Sequence, residues 1–237
     1  MKFSKIAFLS LFVAGSAFAH QFFPIKTDAG YKVGFWADDH WGQYQPDRIF
    51  GVSAKDSKGE NLKAGYDYQN NIIFIEGNPS VASISYDFGY YTFTENGKHY
   101  AQIRSDLTDI DGANKVVQTR KIYKMGKSIF AWNEASKKAL GLKFEIIPLQ
   151  NPLVLKEGDK LKVQVLLDSK PIDGIEFEDQ NDDIANIKTD SKGIAIITLS
   201  KPKDGLQIIA ANVKIPYNLD RYGDTLQLTT TLSFHSK

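Results

Sequence analysis

Histidine is the side chain in this sequence best suited to chemistry at neutral pH, and there are four: His20, His40, His99 and His235. His20 follows Ala17-Phe18-Ala19, a small-large-small pattern that a leader peptidase accepts. Cleavage there leaves His20 as the first residue. A free α-amine and the imidazole Nδ1 of the same residue close one chelate ring on a metal ion. The amine, with a pKa of about 8, yields its proton to a metal near neutrality. Nitrogen donors of this kind suit Ni(II) and Cu(II). The bland alternative is a leader that ends before a histidine by chance.

His40 sits in Trp36-Ala37-Asp38-Asp39-His40-Trp41-Gly42, which reads as a loop after a strand. Asp38, Asp39 and His40 offer ligands, and the flanking tryptophans exclude water; solvated acids beside a stacked histidine are the simpler reading. His99 reads as a surface residue of a hairpin and is only a reserve third ligand. His235, two residues from the C-terminus, reads as surface.

Other motifs carry less. Asp109-Ile110-Asp111-Gly112 fails as a calcium loop, because Leu107 and Gln118 stand where acidic ligands belong. The acidic run 176–183 reads as a solvated loop. There is no serine elbow, phosphate loop or HExxH. No residue is nominated as catalytic, so an enzyme is not expected. The aromatics, 12% of the chain, fall mostly at core-facing positions, which argues against a sugar-binding face.

The elements that must position these residues read as strands. Period-two alternation, broken by Gly, Asn, Asp and Pro, predicts an all-β fold. Strands are expected at 31–36, 72–75, 81–86 and 116–123. A hairpin is expected over 90–103, with a type I′ turn at Asn96-Gly97 that sets Phe93 opposite Tyr100 and Thr94 opposite His99. One short helix is expected at Lys127 to Ala139. From Leu142 onward, six or seven strands with turns every 8–12 residues predict a small Ig-like sandwich. Three segments follow: a leader over 1–19, an N-terminal β-rich metal-binding domain over 20–140, and the sandwich over 141–237.

Lys2, Lys5 and the apolar run Ile6–Val13 complete the leader, and the run is shorter than the roughly 20 residues that span a bilayer. Its loss moves the formal charge from +1 to −1, with 27 basic against 28 acidic residues, so no nucleic-acid or membrane attraction is expected. The absence of cysteine excludes disulfides, thiolate metal sites and lipid attachment at the cleavage site. A soluble periplasmic protein is expected, with no membrane insertion once the leader is gone.

Several segments together resemble a known family. Ala19-His20-Gln21-Phe22-Phe23-Pro24, Gly89-Tyr90-Tyr91-Thr92 with Asn96-Gly97, Leu140 to Leu149 followed by Asn151-Pro152, Glu157-Gly158-Asp159, Leu166 to Gly174, and Thr189 to Gly193 occur in the order and spacing of the NikM/NikK-like proteins. These are extracytoplasmic components that accompany energy-coupling nickel and cobalt transporters. The resemblance implies a protein that binds Ni(II), with Co(II) or Cu(II) as further candidates, and passes it to the membrane components of such a transporter. His20 matches the family's N-terminal histidine. His40 falls where many members carry a histidine before Pro, whereas Trp41 follows here. Two other classes stay open: a copper-binding histidine-brace protein or oxidative enzyme, and a structural or adhesive secreted module.

Overall fold

The structure, a computed structural model, describes residues 20–37, 40–107, 116–181, 183–217 and 221–236. In chain order the strands are β1 (Gln21–Thr27), β2 (Gly30–Ala37), β3 (His40–Trp41), β4 (Ile49–Lys55), β5 (Asn61–Leu62), β6 (Ala64–Asp67), β7 (Ile72–Ile75), β8 (Val81–Thr94) and β9 (His99–Tyr100). They continue as β10 (Val116–Ile129), β11 (Phe144–Pro148), β12 (Lys160–Leu167), β13 (Lys170–Pro171), β14 (Glu176–Asp179), β15 (Asp183–Lys188), β16 (Ile194–Thr198), β17 (Leu206–Pro216) and β18 (Thr225–His235). Among the described residues the helices are three short 3₁₀ turns, so the chain is all-β and of sandwich type.

The backbone of the molecule is a nine-stranded sheet in the order β15-β14-β17-β18-β10-β8-β4-β5, with β9 beside β8. Strands from both sides of residue 141 share it. β10 and β18 pair in parallel from Arg120 opposite Thr225 to Ile129 opposite Phe234.

Alternation along β10 assigns its two faces. Met125 and Ile129 pack with Leu228, Leu232, Phe234, Ile146 and Val163, where the sheet of β11, β12, β13 and β16 covers them. Lys127, on the same face, is fully buried and donates to Glu145 at 2.7 Å. The Glu145 carboxylate also accepts the backbone amides of Leu140, Gly141 and Leu142. The ion pair thus pins the connection between the two halves of the chain.

The even-numbered face meets the remaining sheet, β1-β2-β7-β6 with β3 beside β2. This sheet meets β10 edge-on. Lys124 Nζ donates to the His20 carbonyl at 2.7 Å, and Ser128 Oγ to the Pro24 carbonyl at 2.5 Å. The outward backbone groups of edge strand β1 are therefore satisfied by side chains rather than by a neighbouring strand. Pro24 loses no ladder bond there, since its nitrogen also faces outward. Gly126 permits the approach: a Cβ on it would lie 1.8 Å from the Phe22 carbonyl oxygen. Edge-on seating buries both faces of β1. Phe22 packs with Ile84, Tyr86, Phe88 and Ile122, and Phe23 with Trp36, Leu206 and Ile208.

Two local expectations are corrected. The helix over 127–139 does not form; β10 runs on to Ile129, and turns follow. Lys127 to Ile129 pair with β8 on one side and β18 on the other, and this two-sided ladder outweighs a weak helical propensity. The hairpin register is also one residue off. Thr92 faces Tyr100 and Phe93 faces His99. The loop has three residues, 95–97, closed by Gly97 N–H to Thr94 O and Thr94 N–H to Lys98 O, with Gly97 at φ +78°. A type I turn followed by one left-handed glycine uses Asn-Gly as readily as a two-residue type I′ turn. In addition, the strands expected at 81–86 and from 90 are one continuous β8.

Candidate functional site

His20 precedes β1, and its carbonyl is held by Lys124 from the central sheet. Its ring lies edge-on to Phe35 at 5.3 Å and to Phe88 at 5.7 Å between centroids. Nδ1 is buried among them. The segment is rigidly placed because Gln21 pairs with Trp36 and the Phe22 side chain is wholly buried.

His40 is exposed on β3 and pairs with Ala37 of β2. The β1–β2 register ends at Gln21 opposite Trp36, so His20 follows at the level of Ala37 on the other side of β2. Two strand spacings, about 10 Å, separate positions so related. Directly opposed residues share a face of a sheet, so both histidines belong to the face of Ala37. Asp38 and Asp39 lie outside the described residues. His99 is exposed and lies against Tyr91 and Phe93. The stacked rings of Phe88 and Tyr91, 4.9 Å apart, stand between it and His20. His235 is exposed at the end of β18, opposite Leu206. Among the described residues, no group of three or more His, Cys, Asp or Glu side chains is placed to hold a metal ion.

The polar support of His20 is not evident from local sequence. Lys124 is only 1% exposed, and its ammonium lies 4.5 Å from the Phe88 ring centroid. Desolvation pushes its pKa down to about 7, opposed by the Glu178 carboxylate. Glu178 accepts from Asn212 Nδ2 at 2.7 Å, and Thr229 Oγ1 donates to Asn212 Oδ1 at 2.6 Å. Thr229 is the cross-strand neighbour of Lys124. A polar row, buried at Lys124, Thr229 and Glu178 and half-buried at Asn212, therefore crosses four strands beneath the start of β1. The sequence trace of this row is a lysine and a glycine at core-facing positions of β10, after Ile122.

On the other face of the central sheet lies a cavity of ≈ 650 Å³ with Tyr123, Met125, Leu142 and Leu228 in its wall. Two of the charged groups at it are engaged, Asp87 with Lys121 at 2.8 Å and Lys143 with Asp168 at 2.9 Å.

Fold and site together define an all-β protein of sandwich type in which a histidine, His20, is anchored on the face of a central sheet. The chain belongs to the family described as a domain of unknown function (DUF4198), whose model matches residues 15–215. No curated protein and no solved structure matches it. No helix among the described residues is long and apolar enough to cross a membrane.

Proposed function

We propose that this protein is a periplasmic nickel-binding transport component, in which His20, freed by leader cleavage, captures Ni(II) through its α-amine and imidazole. The observation that carries the reading is the anchoring of His20: a chelating residue at a chain terminus is normally frayed, whereas here its carbonyl is held by a buried lysine and its ring by two aromatics. A terminus held in place loses less freedom on binding, which favours affinity. His40, at the level of the same β2 residue, completes the site.

The resemblance to nickel- and cobalt-uptake components supplies the direction of transfer. Captured metal passes to the membrane components of an energy-coupling transporter, released by ligand exchange or by protonation. Amine and imidazole must be deprotonated to bind, so affinity falls below about pH 6 to 7. Co(II) is accepted on the same donors, and Cu(II) binds them tightly by the general affinity order. No catalytic step is assigned.

The test uses protein exported with its own leader, titrated calorimetrically with Ni(II), Co(II) and Cu(II) beside a variant carrying one extra alanine before His20. Tight one-to-one nickel binding that the extra residue abolishes is expected. Equal, weak binding by both forms refutes the N-terminal chelate.

A further inference from the structure

The face of the central sheet that carries β1 extends past His20, and there it is rich in cations. Arg120 lies four residues before Lys124 on β10, hence on the same face. Lys214 of β17 stands directly opposite Gln227 of β18. Of the acids of β14, Glu178 is bonded to Asn212 and Glu176 is ion-paired with Lys188. The Glu178 carboxylate acts on both Lys124 and Lys214.

The Arg120 guanidinium is held in place, and among the described residues no carboxylate pairs with it. Its Nε donates to Gln118 Oε1 at 2.7 Å and its Nη1 to Gln227 Oε1 at 3.2 Å, while its plane lies 4.0 Å over Phe93. Both hydrogen-bond partners are neutral amides. Gln227 is only 3% exposed and forms a floor, while Lys214 is open to solvent. Nη2 of Arg120 and Nζ of Lys214 make no hydrogen bond or ion pair within the described residues. A guanidinium fixed by uncharged partners beside a lysine presents the planar donor fork that carboxylates and phosphates fit.

We propose that Arg120, Lys214 and Gln227 form a binding site for a small oxyanion of carboxylate or phosphate type, next to the anchored start of the mature chain. Gln227 orients the guanidinium, Arg120 provides the fork, and Lys214 adds the second charge across β18. Partial desolvation, then the like charge of Arg120, holds the Lys214 pKa below its usual value, with Glu178 opposing; a bound anion relieves that repulsion. The site does not depend on the nickel reading.

Calorimetric titration of the mature protein with citrate, and separately with inorganic phosphate, tests this at constant ionic strength set with chloride. One of the two is expected to bind one-to-one, the tighter one naming the oxyanion. Lys214→Gln and Arg120→Gln are each expected to weaken it about 10- to 100-fold, as loss of a charge-assisted hydrogen bond implies. Lys214 is exposed, so its variant folds normally, which its melting temperature checks. Arg120→Lys, which keeps the charge and loses the fork, is expected to weaken binding as well. The alanine-extended variant is expected to bind the oxyanion unchanged, whatever its nickel affinity. Absence of citrate and phosphate binding, or binding equal in wild type and Lys214→Gln, overturns the proposal.

Discussion

Replacing Gly126 by alanine tests the seating of β1 on the central sheet. The added Cβ would lie 1.8 Å from the Phe22 carbonyl oxygen and 2.8 Å from Phe23 Cα. Both are backbone atoms, so no side-chain rotation relieves the clash and β1 must retreat. Overpacking of this kind costs about 1–3 kcal/mol. The retreat also strains the Lys124–His20 and Ser128–Pro24 hydrogen bonds, each worth about 1 kcal/mol. Alanine returns roughly 0.5–1 kcal/mol relative to glycine in a strand. The net expectation is a destabilisation of about 2–4 kcal/mol, a large share of the roughly 5–15 kcal/mol typical of a folded protein. Urea unfolding followed by tryptophan fluorescence measures it. Gly51→Ala is the control: its Cβ would meet only the Ser85 side chain, at ordinary contact distances of 3.6 Å to Cβ and 3.7 Å to Oγ, so little change is expected. A Gly126→Ala midpoint equal to wild type, within about 0.5 kcal/mol, refutes the edge-on contact.

Two further outcomes follow from the buried charges. The folded-state pKa of Lys124 is depressed to about 7, so above that pH the folded protein binds fewer protons than the unfolded chain. The contribution of Lys124 to stability is then lowest below pH 7 and rises with pH until the lysine of the unfolded chain titrates at about 10.4. Lys124→Met should flatten the rise expected between pH 7 and 9, and urea unfolding at pH 7, 8 and 9 would show it. Glu145→Gln leaves Lys127 buried without its counter-charge and should cost about 3–5 kcal/mol, read by the same assay; a loss under 1 kcal/mol contradicts the pairing.

Much of the fold is legible along the chain, for reasons that are local. Alternation in Leu161–Leu167 and Leu226–Phe234 marks strands because side chains of a strand point alternately to two sides. Gly77 and Gly193, both at positive φ, mark turns because a side chain there would be strained. The hairpin register escapes such reading, since Asn-Gly serves two turn types that differ by one residue and exchange the faces of everything beyond. The end of β10 escapes it as well. Lys127-Ser128-Ile129 is weakly helical alone, and becomes strand only because β8 and β18 lie on either side.

The sequence by itself determines that the chain is all-β, that it holds neither disulfide nor thiolate ligand, and that His20 directly follows Ala17-Phe18-Ala19. Those properties reside in residue types and short spacings. The tertiary structure alone decides that β1 stands edge-on on β10, that Lys124 holds the His20 carbonyl, and that Glu178, Asn212 and Thr229 continue that row. These residues range from His20 to Thr229 along the chain, and alternation tells which face a side chain takes without telling what lies against it. The burial of Lys124 depends on a strand about a hundred residues away in the chain, whose start its ammonium holds.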